Sequence, residues 1–181
     1  MINLHFIWQF FRHPIQVGTF TQSSKALAKK MAEQIDGSTE VVEFGAGTGP
    51  VTEEILKRLP ENGRLTCFEI NPKFCRDLER INDPRLRVIN DDAGNCERYV
   101  DNLDCIVSGL PLVWFTEAKQ QEILAITSKS KKYIQLQYTP LLGKKMRNYF
   151  PQVKLKFVPQ NLPPAFIYVC KNSAEPAPSC A

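Results

Sequence analysis

The chain has 181 residues, 43% of them apolar, and a net charge of +4. That length corresponds to one domain with an ordinary core, and so mild a charge is not by itself the signature of a nucleic-acid binder. No apolar run reaches the roughly 18 residues of a membrane span, and residues 1–11, though apolar, lack the basic flank and small-residue cleavage site of a signal peptide.

In chain order, the first predicted element is a helix over 2–12, ended by His13-Pro14. Phe6, Trp8, Phe10 and Phe11, with Arg12 and His13 at one end, suit a helix lying in a lipid headgroup region. A helix packed on the domain or on a partner chain fits them equally. After a loop with Gly18, a second helix is expected over 23–34, with Ser23 and Ser24 as caps and Leu27, Met31 and Ile35 at helical spacing. From residue 39 strands and helices alternate. Strands are predicted at 39–44, 64–68, 86–90, 104–108 and 133–138, and helices at 51–59, 73–81, 95–102 and 117–129. A short helix over 141–149 precedes two runs, 153–158 and 166–171, expected to pair antiparallel and close the sheet edge. The alternation predicts an α/β, Rossmann-like fold: a seven-stranded, mostly parallel sheet with helices on both faces and an antiparallel last strand. Residues 172–181, rich in Pro, Ala and Ser, are expected to lack fixed structure.

Six cysteines (67, 75, 96, 105, 170 and 180) form no CxxC pair, and the only two histidines lie near the start. No metal site is expected, and the thiols read as reduced, as in the cytosol.

The first strand ends in Glu43-Phe44 and runs into Gly45-Ala46-Gly47-Thr48-Gly49-Pro50. Three alternate glycines allow a tight turn and close approach of a ligand. The second strand ends in Glu69, about 20 residues past the last glycine, where α/β nucleotide folds bind ribose hydroxyls. The spacing is G-x-G-x-G rather than the G-x-G-x-x-G of dinucleotide folds. With Glu43 just before the loop, that favours S-adenosyl-L-methionine over NAD, because its amino-acid end and sulfonium suit an acid and bare backbone groups. The expected cofactor contacts are Glu43, Gly45, Ala46, Gly47, Glu69, Ile70, Asp92, Ala93 and Ser108, with Gln22, Ser23 and Ser24 reaching the carboxylate end. Asp91 could replace Asp92 in an adenine contact, and Asp92 could equally cap the helix after it. Ser108, Leu110 and Pro111, past the fourth strand, should line the methyl-acceptor site, with Tyr138 a further candidate at the tip of the fifth. No nucleophile–base constellation is needed, since methyl transfer from a sulfonium relies on proximity and orientation. Lys25, Lys29, Lys30, Lys144, Lys145 and Arg147 could reach anionic headgroups or simply form solvated helix faces.

Residues 43–52, EFGAGTGPVT, resemble the first motif of class I S-adenosylmethionine-dependent methyltransferases. Joined to Ser108-Gly109-Leu110-Pro111-Leu112 and to the opening Phe10-Phe11-Arg12-His13-Pro14, they are similar to bacterial phospholipid N-methyltransferases. The resemblance implies methylation of phosphatidylethanolamine at the cytoplasmic face of the membrane, with residues 2–13 meeting the phospholipid surface. It divides the chain into amphipathic and capping helices (1–36), a methyltransferase domain (37–171) and a tail (172–181). The related rRNA adenine dimethyltransferases carry Asn-x-Pro-aromatic where this chain has Ser-Gly-Leu-Pro-Leu. Without that stacking platform, nucleic acid is not the expected partner, and the alternative is a soluble methyltransferase acting on a small molecule or on nucleic-acid adenine.

Overall fold

A computed structural model describes residues 20–161 and 163–172. The expected helix over 2–12 and nearly all of the tail lie outside the described residues, as do the side chains of Gln22, Ser23 and Ser24. The elements are α1 (Phe20–Ala32), β1 (Glu40–Phe44), α2 (Pro50–Leu56), β2 (Arg64–Phe68), α3 (Pro72–Glu79), β3 (Leu86–Ile89), β4 (Cys105–Ser108), α4 (Glu117–Thr127), β5 (Lys132–Gln137), α5 (Gly143–Arg147), β6 (Gln152–Val158) and β7 (Ala165–Lys171). Two 3-10 turns, Ala93–Arg98 and Leu112–Trp114, flank β4.

The strands form one sheet in the order β3-β2-β1-β4-β5-β7-β6. β1 to β5 are mutually parallel, whereas β7 runs antiparallel to both β5 and β6. The last strand therefore enters between β5 and β6, and β6 forms the edge. Strand direction alternates side chains between two cores. Val41, Leu65, Cys105, Val107, Ile134 and Leu136 face Leu27 and Met31 of α1, Ile55 of α2 and Leu78 of α3. Val42, Phe44, Phe68, Ile106 and Tyr133 face Ile123 and Leu124 of α4 and Met146 of α5. Coverage on both faces explains why these strands read as continuous apolar runs.

The expected helix over 95–102 is instead the 3-10 turn Ala93–Arg98. Asp92 caps it through the Gly94 amide, and Gly94 and Asn95 are poor helix formers. α2 stops at Leu56, short of the expected residue 59, where the approach to Pro60 disfavours helical backbone. The five described cysteines are free and buried. Among the described residues no helix is long and apolar enough to cross a membrane.

Candidate functional site

The carboxyl ends of β1, β2 and β4 meet at one place. β1 runs into a turn whose three glycines all have positive φ: 71° at Gly45, 58° at Gly47 and 90° at Gly49. Side chains rarely adopt such φ values. The turn is stitched on both sides. The Gly45 amide donates to the Phe68 carbonyl of β2, and the Gly109 amide donates back to the Phe44 carbonyl, each at 2.9 Å. Packing is close enough to need bare backbone: a Cβ on Gly45 would lie 2.9 Å from Leu110 Cδ2, and one on Gly109 would lie 3.2 Å from the Gly45 carbonyl oxygen. At Gly47 nothing lies within 4 Å of that position, so the loop faces open space there.

Glu69, at the tip of β2, reaches across to this turn. Its Oε2 accepts from the Gly47 amide at 2.9 Å and its Oε1 from the Asn71 amide at 2.8 Å. Asn71 in turn caps α3 through the Lys73 amide. Ile70 beside it is 72% exposed, an apolar side chain displayed next to the acid.

Glu43 lies below the turn and is almost wholly buried. Its Oε2 accepts from Thr52 Oγ1 of α2 at 2.7 Å and from Cys67 Sγ of β2 at 3.3 Å. Burial pushes the carboxyl up to about 7; the Thr52 and Cys67 hydrogen bonds oppose that, and the nearby charge of Glu69 adds to it. The same burial raises the Cys67 thiol well above its ordinary range, which leaves it a weak donor rather than a nucleophile.

Past β3, Asp91 and Asp92 have separate partners. Asp91 accepts from Asn95 Nδ2 and the Tyr99 hydroxyl, which hold its carboxyl below the ordinary value. Asp92 accepts from the Gly94 amide at 2.7 Å and from Lys119 Nζ of α4 at 2.6 Å. Its capping role is thus present, while the pair also leaves its side chain 46% exposed beside buried Ala93. Asn90 ties this turn to β2 through the Glu69 carbonyl at 2.8 Å.

The loop after β4 is held from β5. Gln135 Nε2 donates to the Leu110 carbonyl at 2.8 Å, Gln137 Nε2 donates to the same oxygen at 3.2 Å, and the Tyr133 hydroxyl donates to Gln135 Oε1. These two glutamines were not among the expected site residues. Their signal is Tyr-x-Gln-x-Gln on a buried strand, which puts two amides on one face of the sheet where apolar groups are the rule. Ser108 is fully buried, and its hydroxyl accepts from the Leu110 amide at 3.3 Å. It therefore shapes the loop from within. Tyr138 stands just past β5 on the opposite face, packed with the core beside α1 and not with Ser108. Burial pushes its phenol up to about 12, against a hydrogen bond with Asn161. Among the described residues no group of three or more His, Cys, Asp or Glu is placed to hold a metal ion.

Against known proteins, a family described as a methyltransferase domain matches residues 41–130. The ornithine lipid N-methyltransferase of Singulisphaera acidiphila is 30% identical over 94% of this chain and 96% of its own length. Among solved structures, the magnesium protoporphyrin IX methyltransferase of Synechocystis PCC 6803, with bound S-adenosylmethionine, superposes with a TM-score of 0.68 at 11% identity, covering 94% of this chain and 92% of that one. The precorrin-6y C5,15-methyltransferase of Geobacter metallireducens does so with 0.66 at 15% identity, covering 82% and 87%.

Glu43 generates a pH prediction. Its folded-state value of about 7 exceeds the ordinary 4.5, so the folded state holds its proton more tightly. Its contribution to stability is complete below about pH 4.5 and is lost as pH rises through 7, a change of up to about 3 kcal/mol. Glu43→Gln should flatten the fall in Tm over that window. Parallel Tm profiles for variant and parent would refute the assignment.

Proposed function

This chain belongs to the class I S-adenosylmethionine-dependent methyltransferases, and on that premise we propose that it methylates the amine of a membrane-lipid headgroup of the phosphatidylethanolamine or ornithine-lipid kind. The observation that carries the lipid reading is the end-to-end similarity to an ornithine lipid N-methyltransferase. Phosphatidylethanolamine and ornithine lipids share the chemistry that matters, a headgroup amine at a water–lipid boundary.

The residues present fit the cofactor. The space over Gly47, which a Cβ would enter without meeting protein, suits a ligand passing close to the backbone. Glu69 is held ready by two amides, one on each oxygen, and each carboxylate oxygen keeps a further lone pair for a ribose hydroxyl. Ile70 offers an apolar contact and Asp92 with Ala93 a polar edge for a base. Gly45, Ala46 and Glu43 lie at the amino-acid end of the expected ligand, as Gln22, Ser23 and Ser24 would. When bound, the cofactor supplies a methyl group on a sulfonium, an electrophile that needs no further activation.

The chain's own task is then to orient the acceptor. The loop from Ser108 to Leu112 presents backbone carbonyls and apolar side chains. Gln135 and Gln137 hold the Leu110 carbonyl from below, which fixes the loop's course. The Leu110 oxygen is itself taken by these amides and by the Leu112 amide, so it is the course of the loop, stiffened by the neighbouring Pro111, that positions the amine. With a phenol near 12, Tyr138 stays protonated at neutral pH and is a donor, not a base.

Three measurements test this reading. Gly47→Val should abolish S-adenosylmethionine binding in a protein with unchanged circular dichroism, because a branched side chain would fill the open cradle and resist positive φ; normal affinity would remove the loop from the cofactor site. Glu69→Ala should weaken binding by about 2 kcal/mol, roughly thirtyfold, and calorimetry giving the parent's affinity would refute the ribose contact. Expression in a bacterium that makes phosphatidylethanolamine and ornithine lipid but no phosphatidylcholine should yield N-methylated forms of one of them by mass spectrometry. Unmodified lipids, from a strain whose purified protein binds S-adenosylmethionine, would overturn the lipid acceptor in favour of a soluble one.

A further inference from the structure

Positive charge is concentrated in one part of this chain. Residues 123–171 carry nine Lys or Arg and no Asp or Glu, whereas residues 1–122 carry 18 acids against 14 bases. That basic stretch contains β5, β6 and β7. At the amino ends of β4 and β5 the charge is met: Lys129 pairs with Glu97 and Lys131 with Asp104. Lys144 and Arg147 of α5 and Lys156 of β6 are exposed, in a segment with no acid of its own.

The same region displays apolar side chains. Of the five large apolar residues exposed among the described residues, three lie here: Leu141 at 76%, Leu155 at 46% and Phe157 at 55%. They form one neighbourhood. The Phe157 ring lies 5.1 Å from that of Phe166 on β7. Leu155 is paired with Tyr168 of β7, and Gly143 at the start of α5 sits over that tyrosine, its Cβ position 3.8 Å from the ring. This brings the segment carrying Leu141 to the same face. β6 is the sheet edge, yet alternate lysines on a strand edge oppose the addition of another strand.

We infer that this face, with Leu155 and Phe157 of β6 and Leu141 before α5 flanked by Lys144 and Arg147, is the surface by which the protein rests on an anionic lipid bilayer. Apolar side chains flanked by cations are what partitions into a headgroup region of negative potential. The position also fits. β6 runs parallel to β5, so Phe157 lies toward the carboxyl edge of the sheet. It is registered with Phe166, which is registered with Gln137, and Gln137 holds the loop after β4. Two strand spacings, roughly 10 Å, separate the docking row from Gln137, and a third separates it from β4, which leads into the acceptor loop. A headgroup amine could therefore enter the site without its lipid leaving the bilayer. The inference rests on the lipid-acceptor reading above for its purpose, though its binding chemistry stands apart.

Flotation of the full-length protein with phosphatidylcholine vesicles, with and without phosphatidylglycerol, tests it. The parent should bind the anionic vesicles and bind the neutral ones less. Leu141→Ser with Leu155→Ser should lower the partition constant at least roughly tenfold. Lys144→Gln with Arg147→Gln should lower it at low salt by roughly fivefold per charge, a difference that vanishes at high salt. Tm and S-adenosylmethionine affinity should stay at the parent's values in both. The inference falls if both variants float like the parent, if the parent does not distinguish the two vesicles, or if the apolar substitutions instead split a dimer and leave flotation unchanged. Variants that float poorly from a parent that methylates no lipid would keep the surface and sink the lipid-acceptor reading. Lipid methylation with unaltered flotation of the variants would do the reverse.

Discussion

The carboxylate of Glu69 joins two turns at once. One oxygen takes the Gly47 amide of the turn after β1, and the other takes the Asn71 amide that opens α3. Amides in turns with positive φ have no partner in a regular ladder, and left bare in a half-closed site they would carry the full penalty of an unmade hydrogen bond. A charged acceptor in a nearly buried position is the strong form of that bond. The turn keeps its shape in this way, and the shape leaves backbone facing open space at Gly47. Glu43, a few residues away, is buried beneath the same turn, and the Glu69 charge helps to push its carboxyl up to about 7. Two carboxyls thus share the floor and rim of one site, and burial lets the lower one hold a proton near neutral pH.

The sheet divides labour across its width. β1, β2 and β3 carry the glycine turn, Glu69 and the Asp91-Asp92 turn, an arrangement suited to a nucleoside. β5, β7 and β6 carry the basic stretch and the exposed apolar side chains. β4 stands between, and its following loop is touched from both halves: Leu110 packs on Gly45, and its carbonyl is held by Gln135 and Gln137. A methyl donor on one side and an acceptor on the other would meet at that loop.

Much of this was legible because local chemistry left few choices. Alternate glycines after an apolar strand can only turn, and the five parallel strands and the antiparallel final pair lie within a residue or two of their expected positions. Asp92 was readable as a cap or as a ligand contact, and it does cap the turn after it. What was not legible depended on partners distant in sequence. Nothing near Asp92 announces Lys119, 27 residues on. Ser108 reads as a residue at a ligand-facing strand end, yet its register with Phe44 puts its hydroxyl into the core. Tyr138 reads as its neighbour, but one step of strand alternation places it on the other face.

By itself the sequence determined the order of strands and helices, the sharp turn after β1 and the acids at two strand tips, because periodicity, glycine geometry and strand ends act over a few residues. Only the tertiary structure decided that β7 lies between β5 and β6, that Glu43 is buried and raised while Glu69 holds two amides at the rim, and that two glutamines of β5 grip the loop after β4. Those outcomes follow from register and burial, which are set when strands far apart in the chain pair and one side chain of each pair is shut away from water.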